Sequence, residues 1–166
     1  MTDKIKGLKL LKKIKPTKRI CIMGIGNYDR ADDYVGSAII ELLEKKTFPD
    51  NVKLINAGPV PEAVTAVIKR FEPDFLIIID AAQMEEEPGT IRIFSEKNVD
   101  SAYMITPHKV SMKMYTQYLT HFLTKLKTIF IGIQPQSIRY DEGMTEKVKL
   151  SADFVRKMLE DKLLRK

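Results

Sequence analysis

Three carboxylates and one imidazole stand where this sequence passes from apolar runs into polar ones: Asp32, Asp33, Asp80 and His108. Asp32 and Asp33 follow Gly24-Ile25-Gly26-Asn27, the loop that closes the apolar run Arg19 to Met23. Asp80 ends the run Phe75 to Ile79, and His108 sits in Thr106-Pro107-His108, ahead of a helical pattern. In an open parallel sheet such places share one rim, and ligands bind there. Two carboxylates and an imidazole gathered on that rim are donors for a divalent metal, not for a phosphate. A metal with open positions polarises a carbonyl or lowers the pKa of a bound water.

Each of these residues has a plainer use. Asp32 reads as an N-cap, and Asp33 is evenly balanced between a first-turn carboxylate and a ligand. A carboxylate after five apolar strand residues is expensive to desolvate without a partner, so Asp80 reads as a site residue. His108 lies in a predicted loop, where functional residues concentrate. His121 falls inside a predicted helix and reads as packing or surface, and Cys21 as a core thiol.

The elements that must position these groups alternate strand and helix. Strands are predicted at Arg19 to Met23, Val52 to Ile55, Phe75 to Ile79 (ending at Asp80), Thr90 to Phe94 and Thr128 to Ile133. Helices are predicted over Val35 to Leu43, from Pro61 to about Arg70, over Met112 to Lys125 and over Thr145 to Leu164. The run at 75–79 is apolar enough for a central strand covered on both faces. The pattern predicts a single-domain, three-layer α/β fold, a largely parallel twisted sheet with helices on both faces. Residues 19–166 form that domain, and residues 1–18 form a basic N-terminal arm.

The chain has 166 residues, 44% of them apolar, which suits one domain with a real core. Its net charge of +6 is local: residues 1–19 hold seven Lys and one Arg against one Asp, leaving the rest near neutral. The arm reads as an amphipathic helix with Ile5, Leu8, Leu11 and Ile14 on one face and lysines in water. It has no aromatic residue to stack on bases, so no nucleic-acid partner is expected. No apolar run approaches a membrane span, the lysines interrupt any signal-peptide core, and a single cysteine excludes an internal disulfide. No membrane partner and a cytoplasmic location are the expectations.

A nucleotide- or anion-binding Rossmann-like protein without peptidase activity is the alternative. The dinucleotide fingerprint, however, needs a third Gly where this chain has Asp29, and Asp29, Asp32 and Asp33 would cluster where a pyrophosphate should be received. The same three charges would attract a cation.

Taken together, several segments resemble the maturation endopeptidases of [NiFe]-hydrogenases, most closely the type serving the hydrogenase of formate hydrogenlyase. They are Gly24-Ile25-Gly26-Asn27 with Asp32-Asp33 and Gly36; Asn56-Ala57-Gly58 with Pro61-Glu62; Asp80-Ala81-Ala82 with Pro88-Gly89; Thr106-Pro107-His108; and Gly132-Ile133-Gln134-Pro135. The resemblance implies cleavage of a C-terminal extension from the hydrogenase large-subunit precursor after nickel insertion. It implies that nickel, supplied by the precursor, is contacted by Asp33, Asp80 and His108, which thereby become the catalytic residues, and it implies a monomer. Many members carry Asp-Gly-Gly where this chain has Asn56-Ala57-Gly58. Met104, Met112 and Met114 flank His108 and offer either an adaptable groove or core packing, the latter for at least two of them.

Overall fold

The structure is a computed structural model that describes residues 5–101, 103–104 and 111–164. Its elements run β1 (Ile5–Lys6), α1 (Lys9–Lys12), β2 (Ile20–Ile25), α2 (Val35–Leu43), β3 (Val52–Gly58), α3 (Thr65–Phe71), β4 (Phe75–Gln83), β5 (Ile91–Ser95), β6 (Tyr103–Met104), α4 (Met112–Phe122), β7 (Lys127–Ile133) and α5 (Glu146–Leu164). Short 3-10 turns at Ala31–Tyr34 and Pro61–Val64 lead into α2 and α3.

The sheet order is β1-β5-β7-β4-β2-β3, with β6 paired to β4. Its centre is parallel, as the alternating pattern requires: β2 pairs with β3 and β4, and β4 with β7. One edge is reversed, because β5 runs antiparallel to β7 and β1 follows β5. The reason is chain length. Gln83 and Ile91 are too close in sequence for the crossover that a parallel return needs, so the chain turns at Pro88-Gly89 and comes back reversed.

Alternation along the strands sorts two cores. Ile20, Ile22, Ile77, Ile79, Ile129 and Ile131 pack with Ile39, Ile40 and Leu43 of α2 and Val148, Val155 and Leu159 of α5. Cys21, Met23, Leu76, Ile78 and Phe130 pack on the other face with Ile68 of α3 and Tyr115 and Leu119 of α4. Every residue of β2 is buried, which is why that strand reads as a continuous apolar run and not as an alternating one.

Two predicted elements are corrected. The arm is not one helix: Ile5–Lys6 joins the sheet edge, one helical turn follows at Lys9–Lys12, and Leu11 and Ile14 enter the core while Leu8 stays exposed. Gly7 imposes the break, with φ of +92° and its backbone tight against the Ile93 carbonyl. The central strand does not stop at Asp80. It continues to Gln83 because β7 supplies backbone partners opposite Asp80 and Ala81, and β6 opposite Ala82 and Gln83. Among the described residues no helix is long and apolar enough to cross a membrane.

Candidate active site

From β2 the chain crosses to β3 on one side; from β4 it proceeds to β7 on the other. The strand order therefore switches between β2 and β4, and the crevice beyond their carboxyl ends is where an open α/β sheet receives ligands. Here the crevice is closed down by glycine. A Cβ on Gly36 would lie 2.2 Å from the carbonyl oxygens of both Ile25 and Ile79, so the start of α2 rests directly on the ends of both strands. Gly26 is also tight, its missing Cβ 2.6 Å from the Asp33 carbonyl oxygen. These approaches press the Ala31–Tyr34 turn, and with it Asp33, against β4.

Asp80 lies one residue beyond the last β2–β4 pair, Gly24–Ile79, and opposite Gly132 of β7. It shares a parity with Leu76 and Ile78, so its side chain is on the face covered by α3 and α4. It is 0% exposed, and neither carboxylate oxygen has a hydrogen-bond partner among the described residues. Burial pushes its pKa well above the ordinary carboxylate value, and the Asp33 charge adds to the rise; the nearby Ala81 amide, which falls short of a hydrogen bond to it, only lessens the rise. Asp33 is 1% exposed. Its Oδ2 is 3.9 Å from an Arg30 guanidinium nitrogen and its Oδ1 has no partner among the described residues. Burial raises its pKa too, and Arg30 opposes that rise. Among the described residues, these two buried carboxylates act on each other and leave three oxygens without a hydrogen-bond partner, with the Arg30 guanidinium as the cation beside Asp33.

Asp32 points elsewhere. Its Oδ2 accepts from the backbone N–H of Gln136 (2.8 Å) and Ser137 (3.0 Å) and from Thr145 Oγ1 (3.0 Å), and its Oδ1 accepts from the Thr145 N–H (2.7 Å). The structural reading of Asp32 holds, but its partners are long-range: it fastens the 136–145 loop and the start of α5, and does not cap α2. With Asp29 exposed as well, the predicted cluster of three acidic charges is reduced to Asp33 alone. A second buried clamp closes the opposite side. Gln134 Oε1 accepts from the Met84 N–H at 2.7 Å, and its Nε2 donates to Gln83 Oε1 at 3.2 Å, holding the end of β4 beside β7.

His108 lies outside the described residues. Among the described residues no group of three or more His, Cys, Asp and Glu side chains is placed to hold a metal, so the described part brings together Asp33 and Asp80 only. The sequence reading missed Arg30, whose signal was its i,i+3 spacing to Asp33. His121 is exposed and edge-on to Phe122, as the helix position predicts. Cys21 is a core thiol, its pKa pushed up to about 12 by burial. Met112 is buried in the core, Met114 is exposed, and the Met104 side chain lies outside the described residues.

Residues 37–162 match the family HycI, hydrogenase maturation protease. Protein MJ0631 of Methanocaldococcus jannaschii is 36% identical over 151 residues, covering 87% of this chain and 88% of that protein. The hydrogenase 3 maturation protease of Escherichia coli is 28% identical over 139 residues, covering 84% and 87%. The crystal structure of a [NiFe] hydrogenase maturation protease HycI from Thermococcus kodakarensis superposes with a TM-score of 0.84 at 25% identity, covering 95% of this chain and 99% of that one. The matched residues run from within α2 into α5 and include Asp80, and the chain belongs to the hydrogenase maturation protease family as an endopeptidase.

Proposed function

We propose that this endopeptidase removes the C-terminal extension of a [NiFe]-hydrogenase large-subunit precursor, and that it reads the nickel already seated in that precursor through Asp33, Asp80 and His108. The observation that carries the reading is Asp80: fully buried, with both oxygens unpartnered among the described residues and the Asp33 carboxylate acting on it. Such a pair is unfavourable by itself and is relieved by a cation, so the residues fit a divalent metal. The strand that precedes His108 in the chain, β6, returns alongside Ala82 and Gln83, two residues beyond Asp80.

The nickel is cargo of the substrate in this reading. When bound it would supply Lewis acidity toward the scissile carbonyl or a water. The chain's own contribution is position and field. The glycine contacts hold Asp33 on the crevice, β4 and β7 hold Asp80 rigidly, and the Arg30 guanidinium partly offsets the Asp33 charge. Carboxylate and imidazole donors without a thiolate hold nickel loosely, as a reader of a loaded partner should. The proposal takes the enzyme as a cytoplasmic monomer. A nucleotide-binding reading has no support: the turn that would receive a pyrophosphate presents a buried carboxylate instead.

The test mixes the purified protein with large-subunit precursor, with and without nickel, and follows the precursor mass. Loss of the extension from the loaded precursor alone is expected. Asp33→Asn, Asp80→Asn and His108→Ala should each stop cleavage while retaining the far-ultraviolet circular dichroism of the parent; full cleavage by any two of them would remove the assignment.

A further inference from the structure

The basic arm has no role in the site, and the family match begins only at residue 37. Its fold gives it a different place. Burial of Leu11 and Ile14 ties the arm to the base of the sheet, where β4 and β7 begin. There its lysines meet others from the body. Two adjoining cavities, of about 400 and 550 Å³, share Lys13, Phe75 and Lys127 as lining. Lys97 lines the first; Lys15, Lys18 and Lys125 line the second. All six lysines are exposed. Only Lys18 is in a salt bridge among the described residues, to Asp74 at 3.4 Å, and Glu96 is the one other acid in the linings. The floor between the lysines is apolar, made by Leu10, Phe75, Leu126 and Ile129.

We infer that this basal groove is a docking site for an acidic polypeptide segment of a partner protein, one that sets apolar side chains on the floor and carboxylates against Lys13, Lys15, Lys97, Lys125 and Lys127. Charge complementarity fixes the sign of the partner. Three further features favour a peptide. The cations are all lysines, without the arginine forks that grip phosphates in pairs. The linings hold one aromatic, Phe75, with Lys127 Nζ already over its ring at 5.9 Å, whereas a single-stranded nucleic acid needs a succession of open stacking platforms. The lysines surround a recess and not a protruding apolar edge, which does not suit insertion into a lipid surface. The site also extends over two cavities, more than a lone anion fills. Asp80 is five strand residues from Phe75, about 16 Å at the usual rise, so a segment held at the base leaves the catalytic crevice free.

Fluorescence anisotropy with a labelled peptide of repeating Glu-Glu-Leu-Glu tests this on the full chain. Lys13→Glu with Lys127→Glu removes the two lysines common to both cavities; Lys45→Glu with Lys46→Glu makes the same charge change at exposed residues elsewhere. Thermal melts confirm that both variants fold. The basal variant should bind the peptide at least tenfold more weakly than the parent, and the distant variant within twofold of it. Equal weakening by both variants would overturn the inference, as would tighter binding of a single-stranded oligonucleotide, or of vesicles with 30% phosphatidylserine, than of the peptide. No arm of the experiment uses precursor or nickel, so its failure would leave the proposed cleavage untouched.

Discussion

Replacing Asp80 by Asn should make the metal-free protein more stable at neutral pH while abolishing its activity. The Asp80 side chain has no exposure, no partner for either oxygen among the described residues, and a second carboxylate close enough to act on it. The folded protein therefore holds the Asp80 proton more tightly than the unfolded chain, whose pKa is near the ordinary 3.8. Between that value and the raised folded pKa, the unfolded state has released a proton that the folded state keeps, so stability falls as pH rises. One proton gives a slope of at most about 1.4 kcal/mol per pH unit. Well below pH 3.8 both forms are protonated in wild type and the penalty is absent; above the raised pKa it is present in full. Asparagine keeps the shape and never ionises. It does bring a buried amide that needs a partner, which offsets part of the gain, so the net at pH 7 should be about 1–3 kcal/mol. For a domain of this size that is a rise of about 2–10 °C in Tm. Calorimetry of both proteins at pH 4 and pH 7 reads it directly. The variant should melt higher at pH 7, and the gap should shrink toward pH 4. Equal melting temperatures at pH 7, or a more stable wild type, would mean that Asp80 is satisfied by groups that this reasoning leaves out.

Three other substitutions and reactions test the frame around the pair. Asp32→Ala strands the Gln136, Ser137 and Thr145 donors and should cost about 3–5 kcal/mol in urea unfolding, far more than the loss of a helix cap. Gly36→Ala forces a methyl to within 2.2 Å of two strand carbonyls, which are backbone and cannot swing aside; a loss of about 3 kcal/mol or more is expected, again from urea midpoints. Cys21, fully buried with its pKa near 12, should react with a thiol reagent only at the rate of protein opening, so stabilising variants should slow the reaction.

The parts of this molecule that were legible in the sequence are those governed by local pattern. Phe75 to Ile79 could only be a strand buried on both faces, and the helical spacing of Val148, Val155 and Leu159 marked the buried stripe of α5. Asp80 was legible for a related reason, since a charge at the end of such a run contradicts its surroundings. What was not legible depended on partners distant in sequence. Asp32 looked like a local cap, yet all of its acceptor capacity goes to residues 104 to 113 positions away. The strand containing Asp80 was read as ending there, because the neighbours that prolong it, β6 and β7, come later in the chain. The arm shows the same limit: Leu11 and Ile14 mark a buried stripe in the sequence, but only the position of Ile93 explains why Gly7 must break the helix.

The adjacent acids Asp32 and Asp33 show how one turn gives two carboxylates opposite surroundings. Both are buried, and residue type alone does not tell them apart. Asp32 is surrounded by donors, so its charge is an asset to the fold, and the turn it anchors is held from below by the 136–145 loop. Asp33, one residue later in a 3-10 turn, is carried to the other side, toward Asp80, where Arg30 at 3.9 Å is its cationic partner among the described residues. The first carboxylate thus supplies the rigidity that keeps the second in an unfavourable place. In the proposed role, a turn fixed by the fully bonded Asp32 would present Asp33 and Asp80 to an arriving cation without rearrangement.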